Sequence, residues 1–242
     1  MNKIAIIINS CEKFHKKTIP IIINSSKKAK IPSHNIYIVV GDSDKETNII
    51  TKNDYNIIFC KYTNIDYNAA IYFTQTSEGL NEIQKYTHFF YIHDTAKFLD
   101  NFWEKIINYS KYCEEYIKLE TVGSKNIGLI NTKWFIENKK ILFSYYINYD
   151  KSLLWDYKNG SFPNKDIIYS KFNNLAKFLN EDNLFIFNNY EPIGNVFENK
   201  EKETYIEKTY NNLERRATVY LEPGIIKYQS NWGQQSEWNL DL

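Results

Sequence analysis

The run Thr87-His88-Phe89-Phe90-Tyr91-Ile92-His93-Asp94-Thr95 constrains this chain most, because an unbroken stretch of large apolar residues stops abruptly at a carboxylate. Phe89 to Ile92 is short and has no alternation of polar residues, which is the pattern of a strand buried on both faces. Asp94 then stands at the carboxyl end of that strand. In an open α/β sheet this edge is where ligands bind, since the strands deliver side chains into a crevice that the flanking helices do not cover. An acid there, beside His93 and Thr95, is an oxygen-rich place for a divalent metal and the phosphates that accompany it. The competing reading is structural: Asp94 caps the helix expected near Asn101, or closes a turn.

The order of the segments before it favours the sheet. Lys3 to Ile8 reads as a strand ending in Asn9-Ser10-Cys11, followed by a helical stretch, Lys16 to Lys30, with Pro20 near its start. Asn35 to Val40 is a second strand, ending in Gly41-Asp42-Ser43-Asp44, and Asn56 to Cys60 is a third. Asp66 to Lys85 suits a helix, with Asp66 as N-cap candidate, Ala69, Ala70 and Phe73 on one face, and Gly79 as a point of interruption. Alternating strands and helices imply a mostly parallel sheet, so the fold class expected is α/β.

Four segments in this order resemble a nucleotide-sugar-dependent glycosyltransferase of the GT-A fold, of the family-two-like group. They are Ile4-Ala5-Ile6-Ile7-Ile8-Asn9-Ser10, Ile38-Val39-Val40-Gly41-Asp42-Ser43, Asn64-Ile65-Asp66-Tyr67-Asn68-Ala69-Ala70 and Phe90-Tyr91-Ile92-His93-Asp94-Thr95. The resemblance covers the first half of the chain and weakens beyond Trp134. It implies a GT-A-like open sheet flanked by helices, with a Rossmann-like nucleotide-binding half, residues 1–135, and an acceptor half with a C-terminal tail, residues 136–242. It also implies transfer of a sugar from a nucleoside diphosphate to a hydroxyl of a glycan, lipid or protein. The family pattern has two aspartates separated by one residue. This chain has His93-Asp94-Thr95 instead, which leaves metal use through Asp94 open.

On that reading, the ends of the first two strands hold the base and ribose. Asn9 and Ser10 offer hydrogen-bonding groups, and Asp42 with Ser43 can accept from a base N–H or a ribose hydroxyl. An ordinary polar turn explains Asp42-Ser43-Asp44 equally well. Asp66 and Asn68 could reach the ribose or donor sugar. Asp94 would bind Mn²⁺ or Mg²⁺ bridging the two phosphates and so stabilise charge on the leaving diphosphate. His93 either joins it, making a softer site that suits Mn²⁺ better than Mg²⁺, or points into the sheet.

Beyond Asp94, a helix is expected from Asn101 to Leu119 and a short strand from Ile127 to Ile130. Tyr145, Tyr146, Tyr149, Trp155 and Tyr157 form an aromatic group that can stack on sugar rings or fill a core or interface. An inverting enzyme needs a carboxylate to take the acceptor proton, and Asp156 and Asp166 are the candidates, Asp166 in the first turn of a helix expected over Pro163 to Leu179. Glu198 to Arg216 reads as a charged amphipathic helix and Ala217 to Leu221 as a strand. The tail from Ile225, with Trp232 and Trp238, is either a lid over the donor site or an arm that joins subunits.

Composition narrows the alternatives. The 242 residues suit a single domain, and no repeat or linker marks a second. A net charge of +1 with scattered lysines gives no general drive toward nucleic acid. No apolar run approaches the roughly 20 residues of a membrane span, and the opening Met1-Asn2-Lys3-Ile4 enters a strand directly, so a cytoplasmic protein is expected. Cys11, Cys60 and Cys113 lack paired spacing and suggest neither a disulfide framework nor a zinc site. Cys11 with His15 four residues on would make a nucleophile pair only with a third orienting group, and none is in view. Two alternatives to the transferase remain: a nucleotide- or glycan-binding protein of the same fold without catalysis, and a nucleotidyltransferase, for which the first strand lacks a glycine-rich phosphate loop.

Overall fold

The computed structural model describes residues 3–12, 14–52, 54–62, 67–118, 127–143, 218–221 and 224–228. Its main sheet has seven strands: β1 (Ile4–Cys11), β2 (Ile36–Gly41), β3 (Ile50–Lys52), β4 (Tyr55–Phe59), β5 (His88–His93), β7 (Tyr116–Lys118) and β8 (Gly128–Asn131), in the order β3-β4-β2-β1-β5-β8-β7. The centre, β4-β2-β1-β5, is parallel throughout. Strands β3 and β8 pair antiparallel with β4 and β5, and β7 antiparallel with β8, so β7 again runs with the central set. The mixed α/β architecture with a mostly parallel sheet is therefore present.

Strand periodicity sorts the core into two layers, because successive side chains leave a strand on opposite faces. Ile4, Ile6 and Ile8 of β1, Ile36, Ile38 and Val40 of β2, and Phe90 and Ile92 of β5 share one core with Ile19, Ile22 and Ile23 of helix α1 (His15–Lys28) and with Phe102 and Ile106 of helix α4 (Phe102–Ser110). The intervening Ala5, Ile7, Tyr37, Val39, Phe89 and Tyr91 share the other core with helix α2 (Asn68–Gln75), helix α3 (Ser77–Ile83) and helix α5 (Thr132–Phe143). Helices on both faces explain why β1, β2 and β5 are apolar without alternation.

A second sheet joins β6 (Ala96–Phe98), immediately after Asp94, to the hairpin β9 (Thr218–Leu221) and β10 (Ile225–Tyr228), in the order β6-β10-β9. Gly224 makes the turn at φ 117, where a side chain would also meet Asn101 Oδ1 at 2.6 Å. Its carbonyl accepts from the Leu99 amide at 2.9 Å.

Three sequence expectations change. The helix expected over Asp66 to Lys85 is two helices, broken at Thr76 rather than at Gly79: Thr76 is extended (φ −104, ψ 143) and its hydroxyl accepts from the Gly79 amide at 3.0 Å, restarting the helix as a side-chain cap. The helix expected over Asn101 to Leu119 stops at Ser110, and Tyr116 to Lys118 form β7 instead, because β8 offers them a pairing edge. Cys113, expected on that helix, lies after it, buried, with its thiol toward the Leu129 carbonyl at 3.5 Å. Among the described residues no helix is long and apolar enough to cross a membrane.

Candidate functional site

From β1 the chain builds outward through β2 and β4, then places β5 on the other side of β1. That reversal makes the carboxyl ends of β1 and β5 the switch point of the sheet, where adjoining connections diverge and leave a crevice. Asn9 and His93 are register partners there, and the Asp94 amide extends the ladder by donating to the Asn9 carbonyl at 3.0 Å.

On the α1 side of the switch point stands a hydroxyl–carboxylate cluster. Ser10 Oγ donates to Asp94 Oδ2 at 2.5 Å, and Thr18 Oγ1 of α1 donates to the same oxygen at 2.5 Å. All three residues are buried. Both are short hydroxyl-to-carboxyl hydrogen bonds. Asp94 thus ties the ends of β1 and β5 to α1, which is more than the cap or turn that a structural reading offers. Thr18 was missed from the sequence, although a signal existed: it lies four residues before Ile22, on the apolar stripe of α1.

On the α2 side, Asn9 Oδ1 accepts from the Ala69 amide at 2.9 Å and from the Tyr91 hydroxyl at 3.1 Å. It satisfies one of the first-turn amides that α2 leaves without an intrahelical partner, a task expected of Asp66. Asp66 itself lies outside the described residues. Asn68, 1 % exposed, faces Gly41 so closely that a Cβ on Gly41 would fall 1.8 Å from Asn68 Nδ2 and 2.7 Å from the Tyr62 carbonyl. Asn68 Oδ1 has no hydrogen-bond partner among the described residues. His93 is buried, edge-on to Tyr91 with ring centroids 6.4 Å apart, and so sits with the Tyr91 side of the sheet rather than with the Asp94 cluster.

At the end of β2 the turn geometry is firm. Asp42 takes the left-handed conformation (φ 56), its amide donating to the Tyr62 carbonyl at 2.7 Å. Ser43 is buried and its hydroxyl accepts from the Lys45 amide at 3.2 Å. Ser43 therefore shapes the turn while Asp42 projects at its exposed tip. Partial desolvation, then the charges of Asp44 and Glu12, push the Asp42 carboxyl above the usual carboxylate range.

Asn9, Ser10, Asp42, Ser43, Asn68, His93 and Asp94 thus share one edge of the sheet, divided between its two faces. Asp156 and Asp166 lie outside the described residues, as do the aromatic group from Tyr145 to Tyr157 and the tail from residue 229. His15, weighed as a partner for Cys11, has Nδ1 donating to the Glu12 carbonyl at 2.8 Å and its ring edge-on to Phe59. Cys60 is buried, and burial pushes its thiol up to about 12, which leaves it inert at neutral pH. A cavity of about 390 Å³, lined by Gln84, Tyr86, Thr87, Asn131, Thr132, Lys133 and Ile136, lies at the amino end of β5 and so at the opposite edge.

The donor set does not fit a resident cation. Among the described residues no three His, Cys, Asp or Glu side chains come together to hold a metal, and Oδ2 of the one buried acid at the switch point already accepts two hydroxyls. A divalent ion would have to arrive with a ligand's phosphates and take Asp94 as its protein carboxylate. Comparison with known proteins gives no family: no family model matches the chain, and no curated protein matches it.

Proposed function

We propose that this protein is a nucleotide-sugar-dependent glycosyltransferase that binds a nucleoside-diphosphate sugar across the carboxyl ends of β1, β2 and β5. One observation supports the reading: polar side chains from the ends of three adjoining parallel strands and the start of α2 share one edge of the sheet, where a buried carboxylate on the α1 face accepts from two hydroxyls. The end of β1, Asn9-Ser10-Cys11-Glu12, has no glycine-rich turn, which disfavours a dinucleotide or a phosphate-loop nucleotide. The order of segments at these strand ends is what points to a nucleotide sugar.

In the reaction proposed, the bond between the anomeric carbon and the phosphate oxygen breaks, and its electron pair leaves with the diphosphate. An acceptor hydroxyl oxygen forms the new bond and gives its proton to a base, for which Asp156 and Asp166 are the candidates if the outcome is inverting. Exposed Asp42 faces the base and ribose, Asn68 Oδ1 offers an acceptor beside them, and Ser10 and Thr18 hold Asp94 in place. Mn²⁺ or Mg²⁺ carried in with the donor would supply charge stabilisation to the leaving group.

The test is incubation with a panel of nucleotide sugars, with Mn²⁺ or with EDTA, measuring released nucleoside diphosphate. Release from one donor, increased by an acceptor, supports transfer. Tight binding of a donor without release supports the second reading, a non-catalytic nucleotide- or glycan-binding protein, which the single buried acid of the switch point favours. No binding of any donor sinks both.

A further inference from the structure

The cavity at the amino end of β5 stands apart from the switch point, and Thr132 and Lys133, the first two residues of α5, line it. Four backbone N–H groups at a helix start lack an intrahelical acceptor, and here three of them find another. Asn131 donates to the Glu115 carbonyl at 2.7 Å, Thr132 to the Thr87 carbonyl at 3.0 Å, and Trp134 to Asn131 Oδ1 at 3.1 Å. The Lys133 amide has no acceptor among the described residues. Beside it Thr132 is 4 % exposed, and its Oγ1 is buried without a hydrogen-bond partner among the described residues. Of the buried serines and threonines described, Thr132 alone is left in this state. A buried hydroxyl without a partner is costly, and its persistence calls for a group that would satisfy it.

Lys133 brings a positive charge to the same place. Its side chain is largely exposed and only loosely paired, with Glu137 at 3.9 Å. None of the residues lining the cavity is acidic. Two unused donors, an ammonium and the positive end of the α5 dipole together select an anion. Tyr86 and Ile136 give the cavity an apolar wall, and its volume of about 390 Å³ suits a small molecule with a single ring. We infer that this cavity binds a small oxyanion, a phosphate or carboxylate on an apolar body, with its charged group held by the Lys133 amide and ammonium and by the Thr132 hydroxyl. The site lies at the opposite edge of the sheet from Asp94 and does not depend on the nucleotide-sugar reading.

The experiment is nuclear magnetic resonance of the nitrogen-15-labelled full chain at neutral pH, titrated with phenyl phosphate, benzoate and benzyl alcohol. Phenyl phosphate or benzoate should shift the amide resonances of Thr132, Lys133 and Trp134 saturably, and the tighter of the two identifies the anion. Benzyl alcohol, which has the ring without the charge, should leave them in place. Thr132→Val should weaken the tighter anion about 10-fold, and Lys133→Gln about 3-fold. Thr132→Ser, which keeps the hydroxyl, should bind within about 2-fold of the wild type. Because Oγ1 has no partner in the protein, Thr132→Val should melt no lower than the wild type. No saturable shift from either anion, equal binding of benzyl alcohol, or shifts confined to the amides of Asn9 and Asp94 would overturn the inference. Affinity unchanged in Thr132→Val or in Lys133→Gln overturns it as well. So does a loss shared by the valine and serine variants, or a lower melting temperature in Thr132→Val, since either would give Thr132 to the fold.

Discussion

Asn9 and Ser10 are neighbours on one strand end, yet their side chains join opposite layers: Asn9 Oδ1 takes the Ala69 amide of α2 at 2.9 Å, and Ser10 Oγ donates to Asp94 at 2.5 Å beside α1. The two-residue period of a strand makes this division obligatory. Its consequence is that the β1 terminus positions both helical layers at once. A ligand seated at the switch point therefore rests on groups fixed from both sides of the sheet.

The α1 half of that arrangement depends on a hydroxyl at position 18. Thr18→Val keeps shape and volume but removes one donor from a buried carboxylate, which should cost about 1–3 kcal/mol. Thr18→Ser should recover most of it. Chemical denaturation of the two variants checks this, and equal stability of Val and Ser would mean that the Asp94 contact contributes nothing.

Asp94→Asn retains a carbonyl oxygen able to accept from both Ser10 and Thr18, so folding should survive. On the proposed transferase reading, loss of the charge should lower release of nucleoside diphosphate sharply. Donor hydrolysis at the wild-type rate in this variant would reduce Asp94 to a structural tie.

Gly41→Ala tests the close approach on the α2 side. The new methyl would lie 1.8 Å from Asn68 Nδ2 and 2.7 Å from the Tyr62 backbone oxygen, so either the helix start or the β2 turn must move. Overpacking of this kind costs about 1–3 kcal/mol. Asn68→Ala in the same chain should give only partial relief, because the Tyr62 carbonyl is still in the way. Full recovery in the double variant would place the whole clash on Asn68.

What could be read from the sequence was local, and what could not was paired at a distance. Strands β1, β2, β4 and β5 were legible because residues buried on both faces leave uninterrupted apolar runs. That Asn9, Ser10, Asp42 and Asp94 stand at one edge of the sheet followed from strand order alone. Thr18 escaped because its place on the apolar stripe of α1, four residues before Ile22, marks it as buried but does not tell what it meets until α1 is docked beside Asp94. The β6 pairing with β10 escaped because Ala96 to Phe98 is too short to mark itself, and its partner lies near the other end of the chain. The break at Thr76 was assigned to Gly79, since a threonine that caps the next helix looks like any helical threonine until its backbone is seen extended.

His88, at the opposite edge, carries a pH dependence of stability. Its Nε2 donates to the Cys113 carbonyl at 2.8 Å, and burial holds its pKa below the usual 6.5. Folded and unfolded chains are both neutral at this group above pH 6.5. As pH falls below that value the unfolded chain takes up a proton first, so stability is lost until the folded pKa is reached. The melting temperature of the wild type should therefore fall more between pH 7.5 and pH 5.5 than that of His88→Gln, which keeps a donor for Cys113 but does not titrate. Parallel curves would show that His88 adds nothing to the acid response.

Asp42 separates a binding role from a turn role. Its folded-state pKa is raised above 3.8 by partial desolvation and by Asp44 and Glu12. At low pH the group is neutral folded and unfolded, and no penalty exists. As pH rises through 3.8 the unfolded chain releases its proton first, and stability falls until the folded pKa is passed. At neutral pH the charge of Asp42 therefore works against the fold. Asp42→Asn removes that charge, and asparagine tolerates the left-handed backbone at φ 56, so the ligand-free protein should melt slightly higher at pH 7 and the gain should vanish near pH 3. If Asp42 accepts from the base or ribose as a carboxylate, the same substitution should weaken nucleoside diphosphate binding by calorimetry even as the melting temperature rises. Unchanged affinity together with a higher melting temperature would leave Asp42 as the crowded tip of a turn, and recognition of the base would have to come from Asn68 instead.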